Sequence, residues 1–183
     1  MGKKLIIKGA DFSQNAIQGL TPYLPFDMQQ EILNDSLVKR GSNNDYARYS
    51  LGKDLYDEYY SGKYVVGVKI KIKTTGTLSF YIENPNNAEE TLLEIITFAN
   101  TGWQTVLFKN PVKIENGKYI AVQTHSSEQT TDTAEFAHQA NNSSENVSDA
   151  KFSTCFGQIA NTTTVLRNGT SLYGFCFVCQ DSL

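Results

Sequence analysis

Residues that carry catalytic or metal chemistry are scarce in this chain. There are two histidines, three cysteines and one tryptophan among 183 residues. His125 and His138 lack zinc-finger spacing, and no second ligand pair accompanies the Cys176-Phe-Val-Cys179 motif. In a strand, positions i and i+3 face opposite ways, so these two thiols are expected to diverge as buried, reduced side chains. With Cys155 the count is odd, which suits a reducing compartment. HExxH, P-loop and GxGxxG motifs are absent. Gly169-Thr-Ser-Leu-Tyr-Gly174 has one residue too many for a GxSxG elbow. His125-Ser126 beside Glu128 offers the residue types of a serine triad, but neighbours in sequence seldom have triad geometry. Glu83, Glu89, Glu90, Glu94, Glu115, Glu128, Asp132 and Glu135 could supply a glycosidase pair, yet none stands in a distinguishing context. No DxDxDG-type calcium loop occurs. The expectation is a chain that is not an enzyme, with no cofactor and no metal.

An excess of basic charge is also lacking. Sixteen Lys and Arg face nineteen Asp and Glu, a formal net charge of −3, which speaks against a nucleic-acid partner. No stretch approaches the ~20 apolar residues that a membrane-spanning helix needs. Leu5-Ile6-Ile7 is too short for the apolar part of an export leader, and Gly2 lacks the Ser or Thr of a myristoylation signal. A soluble chain that leaves its cell only by lysis is therefore expected. On that view the Asn-x-Ser/Thr sequons at Asn141, Asn142, Asn146, Asn161 and Asn168 mark polar loops rather than glycans.

What the chain does have is alternation. From Tyr64, the residues Val66, Val68, Ile70 and Ile72 share one face, and Gly67, Lys69, Lys71 and Lys73 the other. Period two is the pattern of a half-buried strand. The lysine row reads as a solvated face or as edge protection. A turn at Thr74-Thr-Gly76 leads to a second run with Leu78, Phe80 and Ile82 on one face. Further strands are expected near 92–99, 104–109, 111–115, 118–124, 134–139, 151–158 and 171–180. Asn110-Pro111 is expected to break the chain between two of them, because proline cannot donate to a ladder. Glu115-Asn-Gly-Lys118 carries a hairpin signal.

The N-terminal part is less regular. Lys4-Leu-Ile-Ile-Lys8 reads as a short strand. Asp27 as cap, Gln30 at the capping-box position, Met28, Ile32, Leu33 and Leu37 on one face, and Gly41 as stop predict a helix over 28–40. Tyr46–Ser50 and Leu55–Tyr60 read as short strands or edge segments. The fold expected is all-β: a two-sheet sandwich or jelly roll with one short N-terminal helix. It divides into an N-terminal segment, 1–40, and a sandwich domain, 41–183.

Aromatic residues give the strongest binding signal. Tyr46, Tyr49, Tyr56, Tyr59, Tyr60 and Tyr64 fall within nineteen residues, and Trp103 follows Asn100-Thr-Gly102. An exposed ring can stack on the apolar face of a sugar, while buried rings fill sandwich cores. Tyr56, Tyr59, Tyr60 and Trp103 are the candidate ligand residues.

The opening Lys4-Leu-Ile-Ile-Lys-Gly-Ala-Asp-Phe-Ser-Gln-Asn-Ala-Ile17 resembles the start of small β-sandwich proteins encoded by phages and prophages of gut Bacteroides-type bacteria. Asn44-Asp-Tyr-Ala-Arg-Tyr-Ser50, Ser61-Gly-Lys-Tyr-Val-Val-Gly-Val-Lys-Ile-Lys71 and Gly76-Thr-Leu-Ser-Phe80 look like the strands that follow in those proteins. Gly117-Lys-Tyr-Ile-Ala121 resembles their late hairpin. The segments Phe26–Gly41 and 126–149 depart from the pattern.

The resemblance implies a virion component, a tail or head fibre, decoration or receptor-binding protein, assembled in the bacterial host cytoplasm. It implies a homotrimer, other virion proteins as partners, and a host surface glycan as ligand. It brings no catalytic residues. On this view Leu5, Ile6, Ile7 and Phe12 help to anchor the chain, and loops 84–90, 100–103 and 126–149 face outward. The alternative is a stand-alone carbohydrate-binding module of a glycan-degrading system. An esterase or glycosidase on a sandwich scaffold is a third reading.

Overall fold

Strand alternation governs the architecture of the protein, seen here in a computed structural model that describes residues 5–6, 22–26, 37–39, 47–51, 56–84, 89–115, 118–124, 133–140, 155–157, 165–167 and 171–183. The first sheet runs in the order β1 (Leu5–Ile6), β2 (Tyr23–Leu24), β14 (Phe175–Gln180), β5 (Tyr64–Thr74), β10 (Glu135–Ala140), β13 (Ser171–Tyr173). β8 (Gly102–Lys113) also pairs with β5, and β3 (Leu37–Lys39) with β10. The second sheet is β4 (Ala47–Ser50), β9 (Tyr119–Thr124), β6 (Gly76–Asn84), β7 (Glu89–Phe98). A separate ribbon joins β11 (Cys155–Gly157) to β12 (Val165–Arg167). Every pairing is antiparallel. The two sheets enclose one aromatic-rich core, so the chain is an all-β sandwich, as its alternation predicts.

The core is built from the inward positions of both sheets. Val68, Ile70 and Ile72 of β5 meet Leu78 and Phe80 of β6, Phe108 of β8, and Ile120 and Val122 of β9. Phe136, Tyr173, Phe175 and Phe177 extend it as a chain of ring contacts with centroids 5.5–5.9 Å apart between Phe136 and Phe175, Tyr173 and Phe175, and Phe175 and Phe177. The strand path bends at Gly174, which passes from β10 to β5 by donating to the Ala137 carbonyl and accepting from the Lys71 N–H, each at 2.8 Å. A Cβ there would sit 2.8 Å from the Ala137 oxygen.

Four expectations are corrected. Val66 does not join Val68 on the inner face. Between the pairs Val178↔Gly67 and Cys179↔Val65, β5 holds one residue more than β14. That extra residue is Val66, and the bulge turns its side chain to the outer face while Val65 takes the core position. Asn110-Pro111 does not end a strand. β8 runs through it, but its register on β5 jumps from Gly67↔Leu107 to Val65↔Val112, and proline falls where no ladder donor is needed. The helix expected over 28–40 is a strand at Leu37–Lys39, held by Phe136, Ala137 and His138, and its remaining residues lie outside the described ones. β2 and β3 thus belong to the first sheet, so the N-terminal segment contributes strands to the sandwich.

The last correction concerns Leu55–Tyr60. Tyr56–Tyr60 is a single π-helical turn, closed by Ser61 N–H to the Tyr56 carbonyl at 2.8 Å. In a strand, rings at i and i+4 would stand roughly 13 Å apart. In the turn their centroids are 5.4 Å apart and both are buried. The Tyr56 hydroxyl donates to the Ile120 carbonyl (2.6 Å) and accepts from the Ile120 N–H (3.2 Å), just beyond the point where β4 stops pairing with β9. The Tyr60 hydroxyl accepts from the Phe177 N–H (3.1 Å) and lies 3.5 Å from the Phe177 carbonyl. One turn therefore bonds to the backbone of both sheets.

Burial pushes both phenols well above the ordinary tyrosine range, outweighing the hydrogen bonds to Ser50 and Ile120 that pull Tyr56 back. Tyr56→Phe and Tyr60→Phe each leave a strand residue without its partner and should each cost about 1–3 kcal/mol in denaturant unfolding. Because the folded-state values are raised, their contribution to stability should be intact below about pH 10 and fall as pH rises above it, since the unfolded chain ionises first. Unfolding midpoints from pH 8 to 12, with tyrosinate absorbance followed alongside, check the direction.

Candidate functional site

The six clustered tyrosines separate by burial. Tyr56 and Tyr60 are 2% and 0% exposed, with hydroxyls committed to backbone, so neither ring offers a face to a ligand. Both leave the candidate set. Tyr49 is half-buried against Tyr173, 5.2 Å between centroids. Tyr59 is half-buried against Phe26 at 5.1 Å, edge to face. Tyr46 lies outside the described residues. Tyr64 and Trp103 are half-buried on the outer face of the first sheet, away from the core.

Trp103 is placed by the start of β8. The exposed turn Ala99-Asn100-Thr101 carries the chain from β7 to Gly102, whose φ of 91° suits glycine. A side-chain N–H of Gln104 donates to the Asn100 carbonyl and ties the turn to the strand. Trp103 then stands directly opposite Lys71 of β5, with Lys69 opposite Thr105. The two ammonium groups lie 5.9 Å (Lys71) and 5.3 Å (Lys69) from the indole centroid. Such a cation over a ring face contributes about 0.5–1 kcal/mol at an exposed site.

An apolar patch supports the ring. Leu24, Val66, Cys176 and Val178 form a small buried cluster on this face, and Phe26, Tyr64, Trp103 and Leu107 pack against it. The bulge at Val66 supplies one of its members. Farther along the face, the Lys113 ammonium lies 5.9 Å from the Tyr64 ring. The face therefore has two half-buried aromatic rings, each beside lysine, on a rigid backing. It can offer a stacking surface, ammonium donors, and the polar groups of Asn100 and Thr101 at its end.

The cysteines show the two-sided character of β14. Cys176 is in the outer cluster and Cys179 in the core, both as free thiols. Burial pushes the Cys179 thiol far up, which keeps it protonated and unreactive, although Lys63 opposes the shift. Tyr23 of β2 reaches the C-terminal end by donating to an Asp181 carboxylate oxygen at 2.5 Å.

Of the residues named for other chemistry, three carboxylates have partners in separate parts of the fold. Glu94 points inward from the edge strand β7 and accepts from the Lys109 N–H at 2.8 Å. Glu135 accepts from the Thr74 hydroxyl at 2.6 Å, and Glu115 pairs with Lys118 at 3.2 Å. His138 has its backbone in β10, while His125, Glu128 and Asp132 lie outside the described residues. Among the described residues no three His, Cys, Asp or Glu side chains gather as a metal site. Of the expected anchoring residues, Leu5 and Ile6 form β1 on Leu24 and Tyr23, and Ile7 and Phe12 lie outside the described residues. No helix among the described residues is long and apolar enough to cross a membrane.

Lys69 and Lys71 are what residue-by-residue reading missed. They read as a solvated row, and nothing near them in sequence points to Trp103. Their charge should be visible at the indole, which is the only one in the chain. Iodide should quench Trp103 emission roughly twofold more strongly than caesium at low ionic strength, and Lys69→Gln with Lys71→Gln should remove the difference. Equal quenching by both ions in the wild-type chain would mean that the lysines do not set the local potential.

No protein-family model, curated protein or solved structure matches this chain.

Proposed function

We propose that this chain is a structural protein of a bacteriophage particle, a fibre, decoration or tail-associated subunit, that contacts a host surface glycan through the Trp103 face. The observation that carries the recognition half is the half-buried indole on a rigid apolar backing, with Lys69, Lys71, Asn100 and Thr101 around it. A flat ring with hydrogen-bonding groups at its margin suits the two-sided chemistry of a sugar, apolar C–H groups on one side and hydroxyls at the rim. The particle half is supported by the resemblance that spans most of the strands. Neither half calls for a catalytic group.

The proposed assembly is a homotrimer that joins other virion proteins in the host cytoplasm. Three copies of one shallow site would turn weak single contacts into firm adhesion, because each further contact is made at high effective concentration. A stand-alone carbohydrate-binding module is the second reading. It is favoured by the same Trp103 surface and differs in requiring a monomer.

Light scattering of the purified chain separates the two, with a stable trimer expected for the particle subunit. Mass spectrometry of purified phage particles should find the chain among the virion proteins. Trp103→Ala should weaken binding to host-surface polysaccharide by roughly tenfold, about 1–1.5 kcal/mol, with no change in unfolding midpoint beyond the loss of one half-buried ring. Undiminished binding in that variant would remove the proposed face from the reading.

A further inference from the structure

β7 and β8 are joined by the turn at 99–101, and each is the last described strand of its sheet on that side. They are finished differently. β7 carries a bulge at Leu93 and an inward Glu94. β8 is held by β5 on one side, and no other described strand pairs with it. From Gly102 to Leu107 its register on β5 is unbroken. The segment Gly102–Phe108 holds no charged residue and no proline, and its Trp, Thr, Val and Phe favour strands. The devices that blunt an edge begin only beyond it, at Lys109, whose N–H is taken by Glu94, and at Pro111. Along a strand every second residue turns its N–H and C=O away from the neighbour it pairs with. Among the described residues no group bonds to that row on β8.

We infer that this edge pairs with the same edge of a second copy of the chain, antiparallel about a two-fold axis that passes through Thr105 perpendicular to the sheet. The window itself selects this occupant, because Thr105 is the middle of its seven residues. An axis there sets Trp103 against the partner's Leu107 and Gln104 against the partner's Val106. Trp103 and Leu107 both pack on the outer cluster, and Val106 packs on the core, so outer positions meet outer ones and inner meet inner. Thr105 meets its own copy, and threonine pairs across strands are favourable. No like charges stand opposite each other, since the first charged residue, Lys109, faces the partner's Thr101. The pairing uses the backbone edge, so Lys69 and Lys71 keep their places over the indole. This contact is separate from the glycan and trimer readings above. Joined to a trimer it gives a hexamer, and without one a dimer.

The contact is small, seven residues a side against the roughly 20–30 of a standard interface, so association is expected at micromolar rather than nanomolar concentration. Sedimentation velocity of the full chain from about 5 to 500 µM reads it directly. The expected result is a reversible dimer that grows with concentration, or a hexamer where trimers are already present. Thr105→Glu should weaken that step by about tenfold or more, because two carboxylates then meet on the axis. Within one chain the new carboxylate lies opposite Lys69, so the unfolding midpoint should hold. Thr105→Lys should also block self-pairing, and mixing the two variants should restore it. Under mild oxidation Thr105→Cys should yield a linked dimer, since opposed Cα atoms of an antiparallel pair stand roughly 4.5–5.5 Å apart. The wild-type chain, with its own three cysteines, is the control for that linkage. A chain that stays monomeric throughout, or a trimer that goes no further, overturns the edge pairing, and the trimer leaves the particle reading standing. An even-numbered assembly that Thr105→Glu does not weaken and Thr105→Cys does not trap uses another surface and equally overturns it.

Discussion

Two phenol hydroxyls on one helical turn hold the two sheets of this sandwich in place. Tyr56 closes the backbone of Ile120 where β4 gives out, and Tyr60 closes that of Phe177 beside the two-residue strand β2. A buried backbone N–H or C=O without a partner is costly, so the ends of short edge strands are weak points in any sandwich. Here the same turn mends one such point in each sheet. The rings do a second job: Tyr56 packs on Tyr119 at 4.8 Å and Tyr60 on Phe177 at 5.9 Å, which seals this part of the core. Polar closure and apolar filling therefore depend on one five-residue element. It leads straight into β5, the strand that pairs with β8, β10 and β14.

β5 is also where the inner and outer faces of the first sheet are set. The bulge at Val66 sends Val65 to the core and Val66 outward, and Gly67 beside it leaves room for Leu107. Without the extra residue, one end of the strand would present the wrong face to the core, since a single-residue slip reverses every side chain beyond it. The bulge thus reconciles two demands, an inner face for the sandwich and an outer apolar patch under Trp103. The far side of the molecule handles its strand edge differently. β7 carries a bulge at Leu93 and turns Glu94 inward onto the Lys109 N–H, while Leu92 and Ile95 remain about half exposed. A bulge and an inward charge are both devices that discourage edge-to-edge pairing.

A face of this kind is what the proposed adhesive role calls for. Trp103 and Tyr64 lie half-buried beside lysine, while Glu94, Glu135 and Glu115 are engaged elsewhere, with backbone, hydroxyl and lysine partners respectively. The support beneath the indole is apolar and buried, which fixes the ring and lowers the entropy lost when a ligand settles on it.

Much of the fold was legible in the chain itself. Alternation from Tyr64 to Ile82 marks β5 and β6 nearly to the residue, and the divergence of Cys176 and Cys179 follows from strand geometry alone. The helix expected at 28–40 was less so, because strand pairing with β10 claims Leu37–Lys39 regardless of their helical spacing. At Tyr56–Tyr60 a strand and a helical turn are equally consistent with the residues, and only the presence of Ile120 and Phe177 within reach selects the turn. The candidate site was half legible. Trp103 stood out by type, but Tyr56 and Tyr60 were indistinguishable from surface aromatics until burial separated them. The partnership of Trp103 with Lys69 and Lys71 joins residues more than thirty positions apart and depends on the register of β8 on β5. Local sequence determines the period of a strand, because that is a property of neighbours i and i+2. Which strand lies beside it, and with what register, is decided by bulges, turns and core packing that involve the whole chain, and the site on the outer face exists only at that level.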